Sequence, residues 1–333
     1  MCSTTLSFFA SDINYSKFLH AFTILEIFIH SFGAYIIIAK TPKRLESVKA
    51  SMLFLHFVGA FVDVYFSVLI MPVLHLPVCG GHPLGLLSFF GVPVLLQTYV
   101  GLSLPAVIVA TIVVFLDDRR YRLVNGQKSS KIRKWYRLLF VTSSYVSATM
   151  YPAPVFFLLP DQESGRLVLK SKSQCIPTDV FDHPNFFLLD LNGNNIAICM
   201  LLLMIILISQ LLMQFGLIFR HLLKSTPISR STIRLQQQFF IAMSMQVILP
   251  IVIIAFPAFY ILFSIISGYH NQGATNIAFM VMSIHGVLST LTMLMAYRHY
   301  RESILEMLNL NLYRSGGSAQ RIWKLSKRTI TRF

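Results

Sequence analysis

Apolar positions in this chain neither alternate nor keep to one helical face; they run on through seven stretches separated by polar segments. About 20 apolar residues at ~1.5 Å rise per residue cross the roughly 30 Å hydrocarbon layer of a bilayer. That rule predicts spans over Phe18–Ala39, Ala50–Leu74, Ser88–Phe115, Leu138–Leu159, Ile196–Phe219, Phe239–Ile266 and Ala274–Tyr297. Unpaired peptide groups are costly in hydrocarbon, and short alternating units of the barrel type are absent, so each span is expected to be a helix. The expected fold class is an all-α membrane protein, a seven-transmembrane helix bundle.

Composition agrees. With 55% hydrophobic and 12% charged residues, the 333-residue chain carries more apolar surface than one water-soluble core hides. Charge then fixes the orientation. Of 28 Lys and Arg, 24 fall in the segments after spans one, three, five and seven, against 4 (Lys17, Arg166, Lys170, Lys172) on the other side. Basic segments resist translocation, so the amino terminus is expected outside and the carboxyl terminus inside. Bases interleaved with spans also exclude the nucleic-acid-binding reading of the net charge of +15. Met1 to Lys17 lacks the basic start and small-residue cleavage site of a signal peptide, so the first span is expected to direct insertion. The chain divides into a seven-span unit, 1–297, and a cytoplasmic tail, 298–333. Ile304, Leu305 and Leu308 recur at helical spacing beside charged positions, which predicts a short amphipathic helix on the inner leaflet. Farther along the tail, Arg321 to Arg332 is basic with interspersed Ser and Thr.

Four cysteines stand at 2, 79, 175 and 199. Cys79 and Cys175 fall on the outer, oxidising side and are the expected disulfide; Cys2 is the alternative partner on that side. Asn14-Tyr15-Ser16 satisfies the glycosylation pattern close to the first span.

Ionisable residues within spans are expensive and therefore informative. Glu26 lies 13 residues from the inner end of span one, Asp63 13 from that of span two, and His285 12 from that of span seven. All three then sit about 18–20 Å from the cytoplasmic edge and can share a layer with Ser67, Ser289 and Thr290. The alternative is separate neutral side chains, each bonded to nearby backbone. His20, His30 and His56 follow no metal spacing, and no metal or cofactor is expected. Prolines 72, 93, 105, 152, 154, 250 and 257 are candidate kinks.

Seven spans, an outer cysteine pair and Asp117-Asp118-Arg119-Arg120-Tyr121 at the inner end of span three resemble a G-protein-coupled receptor. Lys40-Thr41-Pro42, Leu55-His56-Phe57 with Asp63, and Ser231-Thr232, Leu235-Gln236, Phe239, Gln246 and Pro250 are similar to the nematode class H serpentine receptors. His285-Gly286, Ser289-Thr290 and Tyr297-Arg298 extend that similarity. The resemblance implies a chemosensory receptor in the plasma membrane of ciliated sensory neurons, with a small-molecule ligand and a heterotrimeric G protein as partners. It also implies that Asp118, or Asp117, restrains Arg119 at rest. The doubled acid and a span seven without an Asn-Pro-x-x-Tyr element depart from rhodopsin-like receptors.

Depth in the outer half makes Gln97, Tyr99, Tyr260, Asn276 and Met280 the expected ligand-pocket residues, suited to a small apolar molecule. The main rival is a transporter or ligand-gated channel with a midplane acid/His site, against which stand the odd span count and the absence of a repeated half. An intramembrane enzyme lacks a nucleophile or metal set beside its acids. A retinal-binding protein lacks the lysine in span seven.

Overall fold

The computed structural model describes residues 7–43, 46–125, 130–172, 175–224 and 230–315. After a single turn, α1 (Ser7–Ala10), the chain enters α2 (Asp12–Lys40) and α3 (Glu46–Val64), which ends in a wider π turn over Tyr65–Leu69. A hairpin, β1 (Pro72–His75) and β2 (Gly80–Pro83), leads through α4 (Leu86–Phe89) to α5 (Val94–Asn125). Then come α6 (Lys131–Met150), α7 (Ala153–Phe157), α8 (Gln162–Lys172), a 3-10 turn (Thr178–Asp182) and β3 (Phe187–Leu188). The remainder is α9 (Asn194–Lys224), α10 (Arg230–Ser267), α11 (Gln272–Ser283), α12 (His285–Ala296) and α13 (Arg298–Ser315).

Among the described residues, five stretches are each long and apolar enough to cross a membrane: Asp12–Lys40, Val48–Leu69, Val94–Arg122, Asn194–His221 and Met243–Ser267. The bent pair of α11 and α12, broken by 40°, qualifies together as a sixth. The expected fourth span falls on α6 and α7 and does not meet the same standard. The 20 residues of α6 include Lys131, Arg133, Lys134 and Arg137 in its first turns and five Ser or Thr beyond them. Pro152, with no N–H to donate, then separates α6 from α7.

A bundle core forms where α2, α3, α5, α10 and α12 meet. Ile36, Met52, Val62, Ile112, Leu116, Met243 and Val247 are all buried there. Phe28, Phe57, Leu212 and Phe256 point outward and are exposed, as expected of a surface whose solvent is lipid.

The all-α expectation needs correction outside the spans. β1, β2 and β3 form an antiparallel sheet in that order, with Val73 opposite His82 and Gly81 opposite Phe187. Ile70 to Leu74, read as the outer end of span two, leaves the helix for this sheet. The π turn unwinds α3, and Met71, with φ of 42°, turns the chain into the strand. Gln162 of α8 extends the sheet: its amide donates to Leu188 O at 3.0 Å and its carbonyl accepts from Leu188 N at 2.9 Å. Arg166 holds the carbonyls of Phe181, His183 and Phe186. The long segment before α9 is therefore a folded cap packed on Leu169, Ile176, Phe181, Phe186 and Leu188.

The cysteine expectation also changes. Cys79 is free and buried, its thiol donating to Pro77 O at 3.5 Å. Burial, helped by the nearby charge of Asp190, pushes that thiol well above its ordinary pKa. Cys175 is disulfide-bonded, so its partner is not Cys79; Cys199 is free as well. Cys2, the fourth cysteine, lies outside the described residues, as does the basic stretch Arg321 to Arg332. The hairpin explains the change: Cys79, with φ of 50°, turns its side chain in against Gly193 and Ile265 rather than toward the segment bearing Cys175. Gly193, with φ of 72°, admits this approach because a Cβ there would stand 3.0 Å from Cys79 Sγ.

Candidate functional site: an outer cavity above a bonded polar layer

The bend in the last span sets the geometry of the middle layer. Breaking a helix leaves the first N–H groups of the next segment without partners, a severe cost inside a membrane. Asp63 of α3 meets that need. Its Oδ1 accepts from Gly286 N at 3.0 Å and its Oδ2 from Val287 N at 2.8 Å, so a carboxylate caps the start of α12 from a neighbouring helix. His285 Nδ1 lies 2.6 Å from Asp63 Oδ1 and 2.9 Å from Met282 O. Both neighbours are acceptors, so Nδ1 carries the proton. Gly286 leaves room for this approach: a Cβ would stand 2.6 Å from Asp63 Oδ2 and 2.8 Å from Gly59 O.

His30 and His56, which follow no metal spacing, complete the layer. His30 Nε2 stands 3.1 Å from Asp63 Oδ2, and His56 Nε2 lies 3.0 Å from His30 O. The Thr290 hydroxyl lies 3.2 Å from His56 Nδ1 and 3.5 Å from His30 Nδ1. Glu26 stands apart: its Oε2 accepts from Ser67 at 2.6 Å, and no direct bond joins it to Asp63 or His285. Ser289 borders a void of about 10 Å³ beside His56, His285, Gln246 and Pro250, room for about one water. Among the described residues no cluster of His, Cys, Asp or Glu has the geometry of a metal site.

Pro105, Pro250 and Pro257 sit inside continuous helices, whereas the 40° break falls at Ile284, beside His285 and Gly286.

Above this layer lies a cavity of about 150 Å³. Phe66 and Ile70 of the α3 end, Leu102 of α5, Met200 of α9, Ile261 of α10 and Phe279 of α11 wall it; the β1–β2 hairpin and Phe187 roof it. The lining is overwhelmingly apolar.

None of the five expected pocket residues borders this cavity. Gln97 bonds Val92 O at 2.8 Å and accepts from Ser88 at 3.3 Å, while its own carbonyl takes the Tyr65 hydroxyl at 2.7 Å. Tyr99 ties α5 to Thr149 O of α6 at 2.8 Å. Tyr260 bonds Asn271 O at 3.2 Å, Asn276 bonds Phe9 O at 2.8 Å, and Met280 packs in the main core. Thr98 and Phe279, each one residue from a candidate, do line it. Depth was a usable guide and azimuth was not, because one residue turns a helix by about 100°.

At the carboxyl-terminal end of α5, Asp117 receives Arg120 at 2.8 Å and Arg137 at 2.9 Å, with Gln214 at 3.4 Å. Asp118 receives Arg122 at 2.9 Å and Arg137 at 2.7 Å. Both Asp118 oxygens thus have arginine partners, and the charge of Asp118 also acts on Arg119. Arg119 is buried, its guanidinium 4.8 Å from the Phe115 ring centroid and facing Tyr297 and Tyr300. Those tyrosines bind neighbouring elements: Tyr297 donates to Gln246 at 2.9 Å, and the Tyr300 hydroxyl meets that of Thr41 at 2.8 Å.

Fold and site together define a helical membrane protein with an apolar cavity toward one end, a bonded middle layer and a charged rim toward the other. Residues 10–310 match the family model described as the serpentine type 7TM GPCR chemoreceptor Srh. The chain belongs to that family, a G-protein-coupled chemoreceptor class and not an enzyme class. No curated protein matches it.

Proposed function

We propose that this protein spans the plasma membrane seven times with its amino terminus outside, binds a small apolar ligand in the outer cavity, and opens a cytoplasmic cleft for a heterotrimeric G protein. The observation that carries the reading is the cavity: apolar, roofed by the hairpin and set above a layer that joins three helices through one carboxylate. A ligand changes the receptor only through different affinity for two packings of the bundle. The cavity touches α11 at Phe279 and Met282, a few residues above the break at Ile284, so occupancy bears on the bend that Asp63 holds. Opening of the inner end exposes Arg119, with Asp117, Asp118 and Arg137 framing the cleft. In this reading α6 and α7 together supply the fourth crossing, which completes the seven, α13 lies on the inner leaflet, and the cell membrane is that of a sensory cilium. The acid/His layer favours receptor over transporter here, because Asp63 is spent on the N–H groups of α12.

The test is a reporter cell expressing the full chain, challenged with a panel of small volatile and water-soluble compounds. A ligand-dependent response is expected that Arg119→Ala abolishes while surface expression persists. Undiminished signalling from Arg119→Ala would contradict the coupling role.

A further inference from the structure

The wall of the outer cavity carries a hydroxyl, thiol or imidazole at Thr98, Tyr151, Cys79 and His82. Three of these are occupied within the fold. The Tyr151 hydroxyl donates to Leu102 O at 2.7 Å and the Cys79 thiol to Pro77 O at 3.5 Å. His82 Nε2 meets Asp12 at 3.1 Å, and its Nδ1 is sealed by packing. Thr98 differs: it is half-buried, its hydroxyl bonds no group among the described residues, and its oxygen is not sealed as His82 Nδ1 is. Thr23, Thr111 and Thr292 show the usual alternative, each donating at 2.7–2.8 Å to the carbonyl four residues back in its own helix.

Helical geometry aims Thr98 at the cavity. Val94, Thr98, Gly101, Leu102 and Pro105 of α5 all line it. At about 100° per residue these positions share one face, and Thr98 stands near the middle of that face. Leu95 and Leu96, 47% and 51% exposed, mark the outward face of the same helix, whose midpoint lies about 110° around from Thr98.

A hydroxyl offers one proton, and a proton left unbonded away from water favours a guest that supplies an acceptor. The walls around it, among them Phe66, Ile70, Ile261 and Phe279, are hydrocarbon, so a charged guest would lose its hydration without compensation. Volume limits the rest: an apolar cavity of about 150 Å³ suits a guest near the size of benzene.

We infer that the ligand is a compact, uncharged, mainly apolar molecule with one acceptor oxygen, of the ketone or aldehyde class, and that Thr98 is the specificity-determining residue that donates to it. This rests on the reading that the outer cavity is the ligand site.

The test uses the full chain in lipid nanodiscs and reads thermal stabilisation by cyclohexanone and by methylenecyclohexane, the same ring with a methylene group in place of the oxygen. The quantity compared is the ratio of their half-maximal concentrations, because partition of each compound into lipid cancels when one receptor variant is set against another. Thr98→Val keeps the shape and removes the hydroxyl, and is expected to shift that ratio about fivefold against the ketone. Thr98→Ser keeps the hydroxyl and is expected to retain the unsubstituted ratio. A ratio unmoved by Thr98→Val, or moved equally by Thr98→Ser, would overturn the inference. If both compounds stabilise, Ala258→Trp blocks them by filling the cavity and Thr98→Val leaves the ratio unmoved, the inference falls and the cavity reading stands. No stabilisation by either compound would overturn both.

Discussion

The outer cavity and the middle layer stand on the same helices and are built oppositely. One offers about 150 Å³ lined by apolar side chains, the other about 10 Å³ among histidines, a glutamine, Ser289 and Thr290. Above, packing leaves room for a guest; below, Asp63 of α3 bonds both α2 and the start of α12, and Thr290 contacts the histidines of α2 and α3. In the proposed function this difference separates recognition from coupling. Apolar walls repack at small cost, whereas a carboxylate with four partners has few alternative arrangements, so the layer behaves as a latch.

Removing the latch tests the comparison most severely. Asp63→Ala leaves the Gly286 and Val287 N–H groups and two histidines without their acceptor. A loss of about 3–5 kcal/mol in thermal or denaturant stability of the purified receptor is expected, with Asp63→Asn recovering part of it through its remaining oxygen. If Asp63→Ala left stability unchanged, the layer would be incidental to the fold.

A smaller effect sharpens the outer half. Burial, then the neighbouring His82, pushes His75 down to about 3, and burial lowers His183 as well. Both are neutral in the fold and protonate more readily when unfolded. Stability from these rings is complete above about pH 6.5 and is lost as pH falls toward 3. Asp12, His82 and His270 share their surroundings. Hydrogen exchange of the β1–β2 amides is expected to show opening roughly 2 kcal/mol easier at pH 4.5 than at pH 7, with the amides of α5 unaffected. Uniform loss of protection across both regions would mean that roof and bundle are not separate units.

The long apolar helices were legible because hydrocarbon leaves the backbone few choices, and the matched depths of Asp63 and His285 put both residues in the layer where they meet. Depth said nothing of direction around a helix: Tyr99 and Asn276 tie the scaffold together, while Thr98 and Phe279 face the cavity. The sheet escaped notice because its strands are four, four and two residues long and rich in Gly and Pro, with no alternation to detect. Cys79 was paired by compartment, which cannot report that the hairpin turns it inward. Neither the metal spacing of His30 and His56 nor the family element that contains His56 reports their partners, a carboxylate and a threonine on other helices. Charge sequence likewise named Asp117 to Arg119 without foreseeing Arg137, which arrives from α6 and takes an oxygen of each acid.

The central claim is that the outer cavity holds the ligand. Its most direct test is the concentration–response curve of Ala258→Trp, which places an indole in that cavity on α10, far from Asp63 and Arg119 in sequence. Surface expression equal to the unsubstituted receptor with the ligand response lost is the predicted result. An unchanged half-maximal concentration would contradict the account.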